Sequence, residues 1–259
     1  MEEKLTIGPR IALEKYGWTL WYAGVAPLLE DNKMGSIKAV AIRDGRSANE
    51  HLADQNRASL EAAGIFGMNL MGGPGAGKTS LILRTAEALS TILRIGVVET
   101  TFASRGLEKE PFSEPGIPFV QVNTGGTSQL DASILSPALK QLPINSIDIL
   151  VVENVGNAVS RRASDLGLQA NVLITSVPEG HDNPYKYAEM YRHIDAVILN
   201  KTDLLPWLNF DLESFRRGVE LLNPSVSIFP LSCYTGADLY RWIDWLISRC
   251  RITRSIAVA

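Results

Sequence analysis

A glycine-rich segment has the residue types and the spacing that bind a phosphate chain. It matches the pattern G-x-x-x-x-G-K-[ST], with an apolar run before it and a helix-compatible run after it. Glycines let backbone N–H groups surround the phosphates, and the helix that follows directs its positive end at the anion. We therefore predict a phosphate site. Its candidate ligands are Gly72, Gly73, Pro74, Gly75, Ala76, Gly77, Lys78, Thr79 and Ser80.

Four residues are the candidates for catalysis. Lys78 would neutralise the β- and γ-phosphates, and the Thr79 hydroxyl would ligate Mg²⁺. Further along the chain, Glu153 ends an apolar run and would hold the same Mg²⁺ through water, while the Gly156 N–H would contact the γ-phosphate and report its loss. A strand that ends in a Glu cap is the alternative interpretation of Glu153, and the glycine-rich segment upstream favours the catalytic one.

A second motif, Asn200-Lys201-Thr202-Asp203, follows another apolar run and selects a base. The Asp203 carboxylate can accept hydrogen bonds from N1–H and the 2-amino group of guanine, two adjacent donors that adenine lacks. After the next apolar run, Ser232 and Cys233 lie where a backbone N–H would contact the guanine O6. The two motifs together predict a GTPase that binds GTP or GDP with Mg²⁺.

A residue that completes the Mg²⁺ shell and positions water is expected after the second predicted strand. The segment there contains Glu99 and Thr101, and the sequence leaves open which of them serves. Nucleotide binding is therefore better supported by the sequence than hydrolysis is.

The elements that must carry these residues alternate between strand and helix. Apolar runs predict strands, and helical spacing of apolar residues predicts helices between them. The alternation predicts an α/β fold: a doubly wound, mostly parallel sheet of the P-loop GTPase type, with the motifs beyond the strand ends. Trp242 and Trp245 lie three residues apart on the core face of the last helix. The predicted strands are 66–71, 95–98, 119–122, 147–152, 172–177, 196–199 and 226–231, and the predicted helices include 47–63, 78–90, 209–222 and 236–248.

Composition limits the remaining possibilities. The 259 residues, 46% hydrophobic, suffice for one α/β domain at residues 56–259, with residues 1–55 as a short N-terminal appendage. A formal net charge of -3 argues against broad nucleic-acid binding. The longest apolar stretch, residues 16–29, is too short to span a membrane. Two widely separated cysteines fit a reducing cytoplasm.

Beyond these motifs the sequence resembles the hydrogenase nickel-incorporation GTPases, the HypB family of metallochaperones. The resemblance covers residues 53–245, about three quarters of the chain. It implies a GTP-dependent homodimer that hydrolyses GTP slowly and delivers nickel to a client metalloenzyme with a partner metallochaperone. The segments that carry it are Gln55-Asn56-Arg57, Asn69-Leu70-Met71, Asn123-Thr124-Gly125, Leu130-Asp131-Ala132, Glu153-Asn154-Val155-Gly156-Asn157, Glu179-Gly180, Pro184, Lys186-Tyr187, Leu204-Leu205-Pro206 and Asn209-Phe210-Asp211.

The metal positions of that family are where this sequence departs from it. The resemblance implies a Cys-His pair and a further Cys for Ni²⁺ or Zn²⁺, but this chain has Ser128, Gln129 and Ser160 at those positions. Serine and glutamine are poor ligands for these ions beside thiolate and imidazole. We therefore predict a member without the usual metal site. Two alternatives stay open: a non-catalytic GTP- or GDP-bound assembly module, and a metal carrier whose ligands are Glu, Asp and His side chains.

Overall fold

The computed structural model describes residues 10–13, 18–21, 48–101, 112, 116–123, 130–154 and 165–258. The chain divides into two compact units, Met1–Ser47 and Ala48–Ala259. In the first unit, strand β1 (Arg10–Leu13) pairs antiparallel with β2 (Trp18–Trp21). The predicted boundary at residue 55 falls inside helix α1 (Ala48–Ala62), which belongs to the second unit. The role of the N-terminal residues as an appendage stays a prediction.

Strands and helices alternate through the second unit. After α1 they are β3 (Phe66–Gly72), α2 (Lys78–Leu89), β4 (Ile95–Thr101), β5 (Phe119–Asn123), α3 (Ala132–Leu139), β6 (Ile149–Asn154), β7 (Ala170–Ser176), α4 (Asn183–Lys186), α5 (Ala188–Tyr191), β8 (Ala196–Asn200), α6 (Leu212–Leu222), β9 (Ser227–Pro230) and α7 (Leu239–Val258). Short 3₁₀ helices cover Ile144–Ser146, Val177–Glu179 and Thr202–Trp207.

Strands β3 to β9 form one seven-stranded sheet in the order β5-β4-β6-β3-β7-β8-β9. Every pair of neighbours is parallel. The predicted doubly wound sheet is therefore confirmed, and β3, which leads into the phosphate segment, lies at its centre.

Some element bounds differ from the predicted ones. Strand β6 begins at Ile149 rather than at residue 147, because the preceding 3₁₀ turn ends at Ser146 and Asp148 is engaged by Arg94. Helix α6 begins at Leu212 rather than at residue 209, because the Asp211 side chain caps it. Helix α7 starts at Leu239 and continues ten residues beyond the predicted end at 248.

Side chains alternate between the two faces of the sheet, and both faces are covered. On β6, Ile149 and Val151 join the core cluster beneath α2 and α7, while Leu150 and Val152 join the cluster beneath α1 and α3. A third cluster lies under α5 and α6. Burial on both faces explains why β6, β7 and β8 are rich in Val, Ile and Leu.

Helix α7 packs against α2 and is hydrogen-bonded to it. Trp242 is fully buried and stacks on Trp245 with ring centroids 5.2 Å apart, so the predicted core position of this pair is confirmed. The Trp242 indole N–H donates to Thr85 Oγ1 at 3.0 Å, and the Thr85 hydroxyl donates to the Leu81 carbonyl at 2.6 Å. The helix that begins at Lys78 is thereby fixed to the C-terminal helix. None of the helices in the described part of the chain is long and apolar enough to cross a membrane.

Candidate functional site

The turn between β3 and α2 is the predicted phosphate segment. It ends at Gly77, whose φ of 104° lies in the left-handed region that favours glycine. A Cβ at Gly77 would lie 2.2 Å from Asn200 Nδ2, so only glycine fits there. Helix α2 begins at the next residue, Lys78, and its N-terminus provides the positive end of a helix dipole.

Lys78 is buried beside this turn, with 6% of its surface exposed. Its Nζ donates to the carbonyl oxygens of Gly72, at 2.9 Å, and Gly73, at 3.1 Å. Burial lowers the pKa of Lys78, and the nearby carboxylates of Glu153 and Glu179 oppose that shift. The ammonium group is therefore held at the predicted phosphate turn by backbone oxygens, and its contact with a phosphate stays a prediction.

Glu153, near the C-terminal end of β6, faces the same turn. The Thr79 hydroxyl donates to Glu153 Oε1 at 3.1 Å, and the carboxylate is almost fully buried. Burial raises the pKa of Glu153 to about 7; Lys78 and Thr79 oppose the shift and Glu99 adds to it. A hydroxyl and a carboxylate are hard oxygen donors of the kind that hold Mg²⁺ together with phosphates and water. The residues present therefore fit the predicted Mg²⁺ ion.

The predicted γ-phosphate contact and the residue predicted to position water lie partly outside the described residues. Gly156 and the side chain of Thr101 lie outside the described residues. Glu99 lines the cavity beside Glu153, and the hydroxyl of its neighbour Thr100 donates to the Glu153 carbonyl at 3.1 Å. The choice between Glu99 and Thr101 stays a prediction with two alternatives.

Asn200 connects the phosphate segment to the base segment. Its Nδ2 donates to the Ala76 carbonyl at 2.9 Å. Its Oδ1 accepts from the Cys233 N–H at 3.0 Å and from the Lys201 N–H at 2.8 Å. The buried amide therefore ties together three segments that are far apart in the sequence, and it acts as a connector as well as a candidate ligand.

Asp203 is oriented by Ser232. The Ser232 hydroxyl donates to Asp203 Oδ1 at 2.5 Å and accepts from the Thr235 N–H at 3.1 Å. Ser232 is fully buried, so its hydroxyl has no competing bond to bulk water. The carboxylate predicted to recognise guanine is thus oriented by hydrogen bonds within the protein.

One cavity of about 790 Å³ extends from the phosphate turn to Asn200, Lys201 and Cys233 of the base segment. That volume falls in the range of small-molecule sites. Of the predicted site residues, its lining includes Pro74, Gly75, Gly77, Lys78, Thr79, Ser80, Glu153, Asn200, Lys201 and Cys233. Gly72, Gly73 and Ala76 are joined to the lining by the hydrogen bonds of Lys78 and Asn200, and Asp203 bonds Ser232 behind Cys233. Their contacts with a nucleotide stay predictions.

Two side chains near the site, Glu179 and Arg84, were not predicted from the sequence as site residues. Glu179 accepts from the Ser176 hydroxyl at 2.8 Å, and its Oε2 would lie 3.6 Å from a Cβ on Gly73. Its only sequence signal was the Glu179-Gly180 pair within the family resemblance. Arg84, on α2, donates from Nε to the Cys233 carbonyl at 2.9 Å. An arginine on a half-exposed helix position gives no sequence signal of that contact.

The predicted loss of the transition-metal site falls on residues outside the description. Ser128, Gln129 and Ser160 are among them. Within the part of the chain that the structure describes, no group of three or more His, Cys, Asp and Glu side chains could hold a metal ion. The described histidine of the 179–182 segment, His181, accepts from the Asp211 N–H at 3.4 Å and packs edge-on against Phe210.

The sheet order, the strand–turn–helix at Gly72 to Lys78 and the base segment define a P-loop nucleotide-binding protein. Comparison with known families gives a match over residues 67–230 to "CobW/HypB/UreG, nucleotide-binding domain". The hydrogenase maturation factor HypB of Azotobacter vinelandii is 38% identical over 229 residues, covering 88% of this chain and 74% of that protein. The HypB of Escherichia coli K12 is 37% identical over 226 residues, covering 87% and 76%.

Solved structures agree with the sequence comparison. HypB from Archaeoglobus fulgidus superposes with a TM-score of 0.71 at 32% identity, covering 78% of this chain and 98% of that one. HypB from Helicobacter pylori, solved in complex with nickel, gives a TM-score of 0.73 at 28% identity, covering 80% and 97%. The chain belongs to the HypB branch of the CobW/HypB/UreG family of P-loop GTPases. The resemblance inferred from the motifs is thus confirmed.

Proposed function

We propose that this protein is a GTP-binding and GTP-hydrolysing maturation factor for a nickel metalloenzyme of the hydrogenase type. The observation that carries the proposal is the single cavity that joins Lys78 and Thr79 to the Asn200–Cys233 connection, with Asp203 held in place behind it. Membership of the family adds the maturation role, because the relatives that match are hydrogenase maturation factors.

The residues divide the chemistry among them. Lys78 and the helix α2 N-terminus bind and neutralise the phosphates, while Thr79 and Glu153 hold Mg²⁺. When bound, Mg²⁺ supplies neutralisation of the charge that develops on the phosphate oxygens. Asn200 and Ser232 keep the base segment at a fixed distance from the phosphates, so that Asp203 selects guanine. We retain Gly156 as the γ-phosphate contact and Glu99 or Thr101 as the residue that positions water.

Nickel enters the proposal as cargo. A relative has been solved with nickel bound, whereas this chain has Ser128, Gln129 and Ser160 where the family resemblance places the ligands. We propose that nucleotide binding persists and that the usual cargo ligands are replaced. Titration calorimetry with Ni²⁺ and Zn²⁺ tests this: we expect no binding tighter than roughly millimolar. Micromolar binding of either ion would contradict the replacement and would favour ligands of the Glu, Asp and His type.

The replaced ligands also favour a second function, an assembly module that binds GTP or GDP without hydrolysing it. Single-turnover hydrolysis of GTP separates the two. We expect release of one phosphate per protein, abolished in Lys78→Ala and retained in Lys140→Ala, an exposed lysine at the end of α3. Phosphate release at the buffer rate, with GTP still bound, would replace the GTPase by the assembly module.

We propose a homodimer that forms with GTP, in which a second copy covers the surface beside the base segment. Trp207 ends the 3₁₀ helix that contains Asp203 and is 82% exposed, and the neighbouring Leu208 is also exposed. A large exposed apolar residue next to a nucleotide site supports an interface there. Sedimentation with a non-hydrolysable GTP analogue should show a dimer that Trp207→Ser weakens. A protein that stays monomeric at all concentrations would rule the dimer out.

A client metalloenzyme and a partner metallochaperone complete the proposal. Cys233 and Cys250 are both free and buried, which supports a place of action in a reducing cytoplasm. Co-purification of the tagged protein from its own cells, with and without Lys78→Ala, tests for such partners. Enrichment of a nickel-enzyme subunit only with the nucleotide-competent protein is the expected result.

A further inference from the structure

The side chain of Arg84 is shared between the phosphate helix and the base segment. Arg84 lies six residues after Lys78 on α2, less than two helical turns away. Its Nε donates to the Cys233 carbonyl at 2.9 Å, and one of its terminal nitrogens donates to the Tyr234 carbonyl at 3.1 Å. The other terminal nitrogen pairs with Glu87 at 3.0 Å, which keeps the guanidinium in this orientation.

A hydrogen-bond relay runs from Arg84 to the carboxylate that recognises guanine. The Tyr234 carbonyl and the Thr235 N–H belong to one planar peptide unit. That N–H donates to Ser232 Oγ at 3.1 Å, and the Ser232 hydroxyl donates to Asp203 Oδ1 at 2.5 Å. The Tyr234–Thr235 peptide unit and the Ser232 hydroxyl each accept one hydrogen bond and donate the next, and Asp203 is the final acceptor, so a cation at the start of the series polarises and strengthens the later bonds.

A second branch leads back to the phosphate segment. The Cys233 carbonyl that accepts from Arg84 Nε lies in a residue whose own N–H donates to Asn200 Oδ1. The amide nitrogen of Asn200 then donates to the Ala76 carbonyl. The segment 232–235 is therefore held from two sides, by Asn200 and by Arg84, while burial does not fix residues 234–238, which are exposed.

We propose that Arg84 is a positioning residue for guanine recognition, which acts on Asp203 through the Tyr234–Thr235 peptide and Ser232. The inference rests on the proposed function, since it assumes that Asp203 binds the base. It adds a residue outside both motifs, and it explains how the helix that binds phosphate also determines which base is accepted. A lysine cannot replace this arginine, because one ammonium lacks the planar fork that reaches two carbonyls.

The test compares GDP with IDP, which lacks only the 2-amino group that Asp203 would bind. Affinities are measured by titration for the full chain and for Arg84→Gln, Arg84→Lys and Ser232→Ala. We expect each of the three changes to lower the preference for GDP over IDP by about threefold to tenfold, the value of one or two hydrogen bonds. The double change Arg84→Gln with Ser232→Ala should lower it no further than either alone, because both break the same relay.

The control is Arg217→Gln, which removes an exposed arginine paired with Glu213 on α6. It should leave both affinities and their ratio unchanged. Thermal unfolding shows whether each variant is folded. We expect the Arg84 variants to fold, because the Arg84 side chain is 42% exposed and Arg84→Lys keeps its charge.

Two results overturn the inference. If the Arg84 variants lower the affinities for GDP and IDP by the same factor, or lower neither affinity, Arg84 does not act on base recognition. If the unmodified protein binds GDP and IDP equally, the assignment of Asp203 in the proposed function fails, and the role of Arg84 fails with it. The unmodified protein thus distinguishes a failure of the base site from a failure of the relay.

Discussion

The phosphate end of the cavity is built chiefly from one contiguous segment, residues 72–80, to which β6 adds Glu153, whereas the base end combines residues 200–203 with residues 232–235 and Arg84 of α2. At the phosphate end two charged groups are buried close together. Lys78 donates to backbone oxygens and lies near the carboxylates of Glu153 and Glu179, yet burial still lowers the pKa of Lys78 and raises that of Glu153 to about 7. At the base end, Asp203 and Asn200 are each held by hydrogen bonds to other residues of the protein.

This difference indicates how each end uses the nucleotide. The phosphate end gains an anion and a metal ion that relieve its unfavourable electrostatics, so binding should stabilise it strongly. The base end gains few new constraints and therefore works by selection, since a base that cannot match its fixed groups leaves them unpaired. Affinity should come chiefly from the first and discrimination from the second.

The largest expected effect is at Lys78. Lys78→Ala removes the buried cation, so we expect GDP and GTP affinity to fall by about a hundredfold or more. The loss should be the same for IDP, because the base end is untouched. Calorimetric titration of each nucleotide into Lys78→Ala, with Lys140→Ala as the control, measures the loss of affinity. Affinity equal to that of the parent would show that the phosphates bind elsewhere.

A smaller effect is expected at Asp203. Asp203→Asn replaces two acceptor oxygens by one acceptor and one donor, so GDP affinity should fall about tenfold to a hundredfold. The variant should gain affinity for XDP, whose 2-oxo group accepts a hydrogen bond from the new amide. Binding of ADP is the control and should stay weak. A loss of GDP binding with no gain for XDP would argue that the base lies in a different orientation.

The smallest effect concerns pH and the nucleotide-free protein. Glu153 binds its proton more tightly when folded, so its contribution to stability is fully present below its unfolded pKa near 4.5 and disappears as pH rises through about 7. Between pH 6 and pH 8 this one group should lower the free energy of unfolding by about 1 kcal/mol.

Glu153→Gln removes that pH dependence, and Glu220→Gln, an exposed carboxylate on α6, should keep it. Chemical denaturation at the two pH values, without nucleotide or Mg²⁺, measures the difference. Equal pH dependence in the parent and in Glu153→Gln would show that Glu153 is ionised in the folded protein, and the contrast between the two ends would then be weaker.

The sequence predicted the sheet and the phosphate segment because both are local patterns. A continuous apolar run predicts a strand that is buried on both faces. A glycine-rich segment that ends in Gly-Lys-Thr predicts the turn between a strand and a helix. The prediction that Asp203 recognises guanine rests on a local pattern of the same kind. Element ends were less certain: α6 starts at its Asp211 cap, and α7 continues past residue 248 because Cys250 and Thr253 are still buried.

The contacts between segments could not be predicted in this way. Arg84 and Asn200 act largely through backbone carbonyls and N–H groups, and every residue type offers those. No residue pattern marks such an acceptor. The raised pKa of Glu153 likewise depends on burial, and β6 is buried between β3 and β4, two strands that are distant from it in the sequence.

The central position of β3 has a consequence for the order in which the protein becomes competent during synthesis. This strand emerges from the ribosome first among the seven, yet its neighbours β6 and β7 end at residues 154 and 176. Asp203, Ser232 and the Trp242 indole that anchors α2 follow later still. A nascent chain therefore carries the phosphate segment long before it can retain GTP, because the residues that complete the site and anchor α2 are not all translated until residue 242.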